Sequence, residues 1–278
     1  MLNCVIYAVT EDGYHYLADK AVKMKEQLNA VGIKFLIVDI ENLPSDKAGM
    51  LIVSDSPEVV RKMTEDGFYV AGFYHPKNEN RIFEGASYAV TDVEELTANS
   101  YEEVYRRLAQ IPWDILETKR LYVRESKVED VEAFYRIYGE PSMTAYIEDL
   151  FQNPEEEKVY MENYIRHMYG FYGFGMWTVI EKFQNRIIGR AGLDVREGYD
   201  LPELGFVIEK AYQRKGYAEE VCRAILLYAK ETLLFEKIQA LVEADNTASM
   251  ELLCKLGFVQ RGEVIEAGKT YCFMIKEL

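Results

Sequence analysis

Glu203-Leu204-Gly205-Phe206-Val207-Ile208, then Glu209-Lys210-Ala211-Tyr212, then Gln213-Arg214-Lys215-Gly216-Tyr217-Ala218-Glu219-Glu220 is the stretch on which the reading of this chain turns. Its first six residues suit a strand, and a short polar loop follows. From Tyr217 onward Val221, Ala224, Ile225, Tyr228 and Ala229 recur on one side of a helix that the spacing carries to about Leu233. The loop sets Arg214, Lys215 and Gly216 directly ahead of that helix. The first N–H groups of a helix have no partner within it, and the helix dipole adds partial positive charge there. Such a loop is suited to a pyrophosphate. Gly216 allows the backbone to approach phosphates without a Cβ, and Ala218 keeps the surface small.

A basic, glycine-containing helix start is common, and its neighbours give this one its weight. Downstream, Ile238-Gln239-Ala240-Leu241-Val242 reads as the next strand, and Asn246-Thr247-Ala248-Ser249 opens a helix. Lys255-Leu256-Gly257-Phe258 closes that helix on a glycine. Upstream, Arg120-Leu121-Tyr122-Val123-Arg124 alternates as a strand, and Glu129-Asp130-Val131 opens a helix. The pattern Gln-x-x-Gly-x-Ala from Gln213 to Ala218, followed by the Asn246–Ser249 pair and Leu256-Gly257-Phe258, resembles the coenzyme-A-binding core of the GNAT acetyltransferase superfamily. Glu117-Thr118-Lys119-Arg120-Leu121, Arg124 and Asp130 are similar to the opening of one branch, the ribosomal-protein N-terminal acetyltransferase-like group.

The resemblance implies an α/β fold, a mixed sheet flanked by helices, over residues 115–278, with acetyl-CoA as cofactor. It implies direct transfer, in which a neutral amine attacks the acetyl carbonyl and the CoA thiolate leaves. Phe206, Val207 and Ile208 would run beside the pantetheine arm, with one strand N–H on the thioester oxygen, a contact worth about 3 kcal/mol in other enzymes. Gln213, Arg214, Lys215, Gly216, Tyr217 and Ala218 would form the pyrophosphate loop. Asn246 would orient the cofactor or a water, and Ser249 would lie near the cofactor sulfur. Glu203 is either a base acting through water or a solvated residue at a strand end. Where many members carry a tyrosine acid, this chain has Leu253, so the thiolate would take its proton from water or near Ser249; Tyr217 and Tyr271 are rivals. Tyr146, Phe151, Tyr160, Tyr164, Tyr169, Phe171, Tyr172 and Phe174 either shape the acceptor pocket or belong to the core. The acceptor implied is a small-molecule or peptide amine: a protein N-terminus, a polyamine or a small amine. The alternative is an acetyl-CoA-binding sensor without turnover.

Residues 1–114 read as a separate, small α/β domain with a mainly parallel sheet. Val5–Val9, Phe35–Val38, Met50–Val53 and Phe68–Phe73 are short apolar strands suited to a sheet buried on both faces. Leu17, Ala21, Met24, Leu28 and Val31 recur at helical spacing until Gly32, Ser56-Pro57 opens a second helix, and a third runs from Tyr101 to Ala109. Leu51 to Glu58, Gly67 to Phe73, and Ala89 to Leu96 resemble the last third of haloacid dehalogenase-like proteins. That family carries a nucleophilic Asp-x-Asp after its first strand; here the position reads Thr10-Glu11-Asp12-Gly13, and the covalent step has no nucleophile. Asp39 and Asp55 are expected to gather at one sheet edge, or Asp55 to cap the helix that follows it.

The net charge of −15 argues against nucleic acid as the main partner and favours a cationic substrate, or serves solubility alone. Three separated histidines and four cysteines without ligand spacing predict no metal site. With no leader-like or membrane-spanning run, the chain is expected to be cytoplasmic, its thiols reduced and Cys254 buried. Oligomeric state is open.

Overall fold

The computed structural model describes residues 1–147 and 149–278, and contacts divide the chain into two compact units, Met1–Ile111 and Pro112–Leu278.

In the first unit β1 (Cys4–Val9) is followed by α1 (Glu11–Leu17) and α2 (Ala21–Ala30). Then come β2 (Lys34–Asp39), β3 (Met50–Ser54), α3 (Pro57–Glu65), β4 (Tyr69–Phe73), the short β5 (Ala89–Val90) and α4 (Ala98–Leu108). The strands lie in the order β2-β1-β3-β4-β5, and every pairing is parallel. Their apolar runs are buried on both faces. Leu17, Met24, Leu28, Tyr101 and Tyr105 cover one, and Val59, Val60, Met63 and Phe83 the other. The single helix expected from Leu17 to Val31 is two helices, and Val31 is exposed beyond the second. Ser56 caps α3, its side chain accepting from Val59 N–H, with Pro57 in the first turn.

Asp55 is therefore not the cap. It is buried at the C-terminal edge of the sheet, where Thr10 donates to it through N–H (2.8 Å) and Oγ1 (2.5 Å). His75 Nε2 lies 3.1 Å from its Oδ2, with Tyr16 stacked on the imidazole. Asp39 ends β2 at the same edge of the sheet, with β1 between it and β3; it is exposed and accepts from Glu41 N–H.

The second unit opens with β6 (Asp114–Glu117) and β7 (Leu121–Arg124), then α5 (Val131–Tyr138) and α6 (Pro154–Tyr164), the latter extended by a π-helical turn over Ile165–Tyr172. After these come β8 (Met176–Glu181), β9 (Arg186–Asp194), β10 (Glu203–Ile208), α7 (Tyr217–Glu231), β11 (Lys237–Glu243), α8 (Thr247–Leu256), β12 (Val259–Glu266) and β13 (Lys269–Glu277). The eight strands lie in the order β12-β13-β11-β10-β9-β8-β7-β6. Only β10 and β11 are parallel, and they pair at the single position Glu203↔Gln239. Trp177 and Ala191 face α7, where the Trp177 ring packs edge-on against Tyr228. The next residues along, Thr178 and Arg190, turn to the opposite face, toward α5 and α6. Cys4, Cys222 and Cys272 are buried, but Cys254 is exposed on α8, against expectation: its side chain falls on the helix face opposite Leu253 and Leu256.

Candidate functional site

Beyond Glu203↔Gln239 the two parallel strands part, and a cavity of about 780 Å³ opens between them. Leu204, Gly205, Phe206 and Val207 form one wall, Ala240, Leu241, Val242 and Glu243 the other, and Asn246, Ser249 and Leu253 close an end. On its far edge β10 pairs with β9, and Glu209 N–H donates to Ile188 C=O. Antiparallel alternation then turns Val207 and Gly205 toward β9 and Phe206 and Ile208 toward the gap. The gap edge of β10 thus offers main-chain groups that no strand takes up, although the Ile208 carbonyl accepts from Gln213 Nε2 (2.9 Å). A Cβ at Gly205 would meet Met176 Sδ at 2.8 Å, so the end of that flexible side chain would have to shift.

The loop that leaves β10 has, at its far end, features that suit an anion. Gly216 sits at φ +79°, a left-handed conformation that glycine adopts without strain, and no side chain caps α7. A Cβ at Gly216 would meet nothing nearer than Arg120 Nη2 at 3.5 Å, so backbone conformation, not crowding, demands the glycine. Arg214 (φ +60°), Lys215 and Gln213 are exposed around it. The loop is tied to the opening strand. Thr118 Oγ1, Arg120 N–H and Arg120 Nε all donate to the Glu220 carboxylate at 2.6–2.9 Å. Arg120 also donates to Lys215 C=O (2.9 Å) and stacks 4.1 Å above the Tyr217 ring. Burial raises the Glu220 carboxyl, but these donors prevail and hold it below its ordinary value. These observations fit the pyrophosphate and peptide-like arm of coenzyme A: an uncapped helix start, a left-handed glycine, basic side chains and a strand edge with vacant main-chain groups.

The expected residues fall in three places. Glu203, Phe206, Val207, Asn246 and Ser249 line the cavity, whereas Ile208 is buried beyond it. Gln213, Arg214, Lys215, Gly216, Tyr217 and Ala218 lie on the loop and the first turn of α7. Asn246 accepts from Ser249 N–H and so caps α8. Glu203 is not a solvated strand end. Its carboxylate is largely buried, paired to Arg196 at 3.1 Å and approached by Gln239 Nε2 at 3.5 Å. Burial lifts its carboxyl above the ordinary value against the pull of Arg196. Of the two rival tyrosines, Tyr271 lines the cavity and Tyr217 stays on the loop. Of the aromatic stretch, Tyr146, Phe151 and Tyr160 line the cavity, Tyr164, Tyr169 and Phe174 are core, and Phe171 and Tyr172 are exposed.

Several neighbours escaped the sequence reading. Arg196 bridges Glu203 to Glu266 of β12 (2.7 Å), which also accepts from Tyr199. Lys269 pairs with Glu243 (2.6 Å). Asp194 stands opposite Glu203 in the ladder, and burial raises its carboxyl too. Arg190 reaches the cavity from β9. Asp194, Arg190 and Lys269 sit on strands and Arg196 in the loop just after β9, in segments with no motif of their own. Among the described residues no group of His, Cys, Asp and Glu is disposed to hold a metal, and no helix is long and apolar enough to cross a membrane.

A family model described as an acetyltransferase (GNAT) domain matches residues 120–259. The uncharacterized N-acetyltransferase YoaA of Bacillus subtilis is 28% identical over 149 residues, which cover 53% of this chain and 84% of YoaA. A second Bacillus subtilis relative, the uncharacterized N-acetyltransferase YnaD, is 28% identical over 52% of this chain and 82% of its own. Among solved structures, the ribosomal-protein-S5-alanine acetyltransferase of Vibrio fischeri superposes with a TM-score of 0.51 at 19% identity, covering 58% of this chain and 95% of that one. At that identity the likeness speaks to the fold.

Proposed function

Given that this chain belongs to the GNAT acetyltransferase family and is an N-acetyltransferase, we propose that Pro112–Leu278 moves the acetyl group of acetyl-CoA to a primary amine by direct attack. The observation that carries this reading is the parting of β10 from β11 immediately before an uncapped, glycine-led helix start. Acetyl-CoA supplies an activated thioester carbonyl. The first-turn N–H groups of α7, with Arg214 and Lys215, receive the pyrophosphate. The gap edge of β10 pairs with the pantetheine amides as a further strand would, and the Phe206 N–H polarises the acetyl oxygen. The amine nitrogen forms the new bond to the carbonyl carbon while the carbon–sulfur bond breaks. Glu203 takes the proton that the amine loses, through a water, and its raised affinity for protons suits that task. The departing thiolate takes a proton from water or from the Ser249 hydroxyl, and Asn246 orients the cofactor beside it.

The acceptor class extends to protein N-termini, polyamines and small amines, and the setting is cytoplasmic. For Met1–Ile111 we propose a haloacid dehalogenase-like unit without its phosphoryl chemistry. Two observations support this: Thr10-Glu11-Asp12-Gly13 follows β1, and both Asp55 oxygens are held by Thr10 and His75.

The test is a panel of primary amines, followed by release of the CoA thiol, with Gly216→Glu as control. The wild type should turn over at least one amine, and the variant should bind no acetyl-CoA by calorimetry. A folded variant that binds acetyl-CoA as tightly as the wild type places the pyrophosphate elsewhere. Acetyl-CoA binding by the wild type with no amine turned over points to the sensor.

A further inference from the structure

Arg190 is the cation that the mechanism leaves unused. It rises from β9 opposite Val207, into the cavity wall beneath α5 and α6, and only 8% of it is exposed. Its Nε has no hydrogen-bond partner. The guanidinium lies 4.9 Å from the Phe134 ring and 5.7 Å from that of Tyr164. The hydroxyls of Tyr138, Tyr164, Tyr169 and Tyr160 act on its charge.

The other cations of the cavity are discharged: Arg196 by Glu203 and Glu266, Lys269 by Glu243. The other carboxylates of the cavity accept main-chain N–H groups, Asp194 that of Val195, Asp149 that of Leu150 and Glu157 that of Phe151, and Asp194 also lies near enough to feel the charge of Arg190. Among the described residues none forms an ion pair with Arg190. A buried cation without a counter-ion is costly to a fold, and aromatic faces and phenols offset only part of that cost. A cost kept beside a ligand cavity is accounted for when the ligand supplies the missing charge.

We propose that Arg190 is a specificity-determining residue that binds a carboxylate carried by the acceptor amine, so that the substrate is a zwitterionic amino compound. This rests on the transferase reading of the same cavity. Spacing supports it. Arg190 stands across from Val207, and Asp194 across from Glu203, four residues along the same strands. At ~3.4 Å per residue the two cross-strand pairs stand roughly 14 Å apart along the strands, a span that the long Arg190 side chain at one end and a water on Glu203 at the other shorten. The half-buried Asp194 and Glu203 draw the ammonium end, and the overall charge of −15 does not oppose the other end, because Arg190 acts at contact range.

The experiment uses the full chain and three sets of matched probes: free α-, β- and γ-amino acids, the corresponding amino amides, and diamines of equal length. Short peptides with an acidic second residue are compared with their neutral counterparts, to separate a free amino acid from an acidic peptide end. Both CoA release and calorimetric binding to the CoA-loaded protein are read. Acids should exceed amides in kcat/KM by roughly ten- to a hundredfold. Arg190→Gln should bring that ratio toward one by raising KM, and Arg190→Lys should restore part of it. Without ligand, Arg190→Met should melt no lower than the wild type, because it removes an unpaired buried charge; a structural arginine would show a large fall. Equal use of acids and amides by the wild type overturns the proposal and leaves the transferase standing. Binding of acids that depends on Arg190 without any acetyl transfer does the reverse.

Discussion

Glu203 brings burial and chemistry together in one side chain. A base works only when deprotonated. A carboxyl whose pKa burial has raised therefore loses activity, as pH falls, at a higher pH than the ordinary ~4.3 of glutamate. Glu203→Gln should lower kcat/KM by roughly a hundredfold or more and remove that acid limb from the pH profile. An unchanged limb in the variant would assign the step to another group, Asp194 first, since burial raises it as well. Asp55 is the second residue whose role depends on what surrounds it. Read as a helix cap, its loss would cost about 1 kcal/mol. In place, it satisfies Thr10 twice and His75 once within a buried edge, so Asp55→Ala should cost about 3 kcal/mol. Urea unfolding gives that number, and a loss of 1 kcal/mol or less would mean that water replaces the carboxylate.

At the scale of elements, the opening strand and the start of α7 behave as one piece. Thr118 and Arg120 reach across about a hundred residues of sequence to hold Glu220, and Arg120 also buttresses the loop at Lys215 and Tyr217. Glu220→Gln keeps the size but weakens these charge-assisted bonds. The KM for acetyl-CoA should rise several-fold while kcat moves little, because the pyrophosphate site proposed for the loop is distant from the reacting carbon. The pH sign follows from the direction of its shift. A carboxyl held low in the folded chain adds stability above its unfolded pKa and loses it as pH falls through the folded value. The stability gap between wild type and variant should therefore close on acidification below about pH 4. Equal acetyl-CoA KM values for the two proteins would show that the loop stands without its latch.

For the whole molecule, the two units have separate cores: Met1–Ile111 around its parallel sheet, Pro112–Leu278 around the eight-stranded one. Every cavity and loop residue named for acetyl transfer lies in the second. A fragment from Pro112 should fold and bind acetyl-CoA with the affinity of the full chain. A start at Leu116 should do worse, because it cuts β6 and removes the Trp113 N–H bond to Glu125 (3.0 Å). Calorimetry on both fragments checks this; a folded fragment from Pro112 that binds no acetyl-CoA would mean that the cofactor site needs the first unit.

What the sequence determined alone was whatever rests on local rules. Apolar alternation and turn chemistry marked the strands. Ser56-Pro57 and Gly257 marked helix ends, and Gln213 to Ala218 carried the uncapped, glycine-led helix start, because glycine conformation and unpaired N–H groups are properties of a few consecutive residues. Tertiary structure decided whatever depends on charges from distant strands meeting in a shared, poorly solvated space. It put Arg196 on Glu203, Thr118 and Arg120 on Glu220, and Thr10 and His75 on Asp55. It also buried Arg190 with its Nε unbonded and, among the described residues, without an ion pair. The period of a strand tells which face a side chain takes, but not which other strand lies beneath it, and in a low-dielectric interior that neighbour sets the charge.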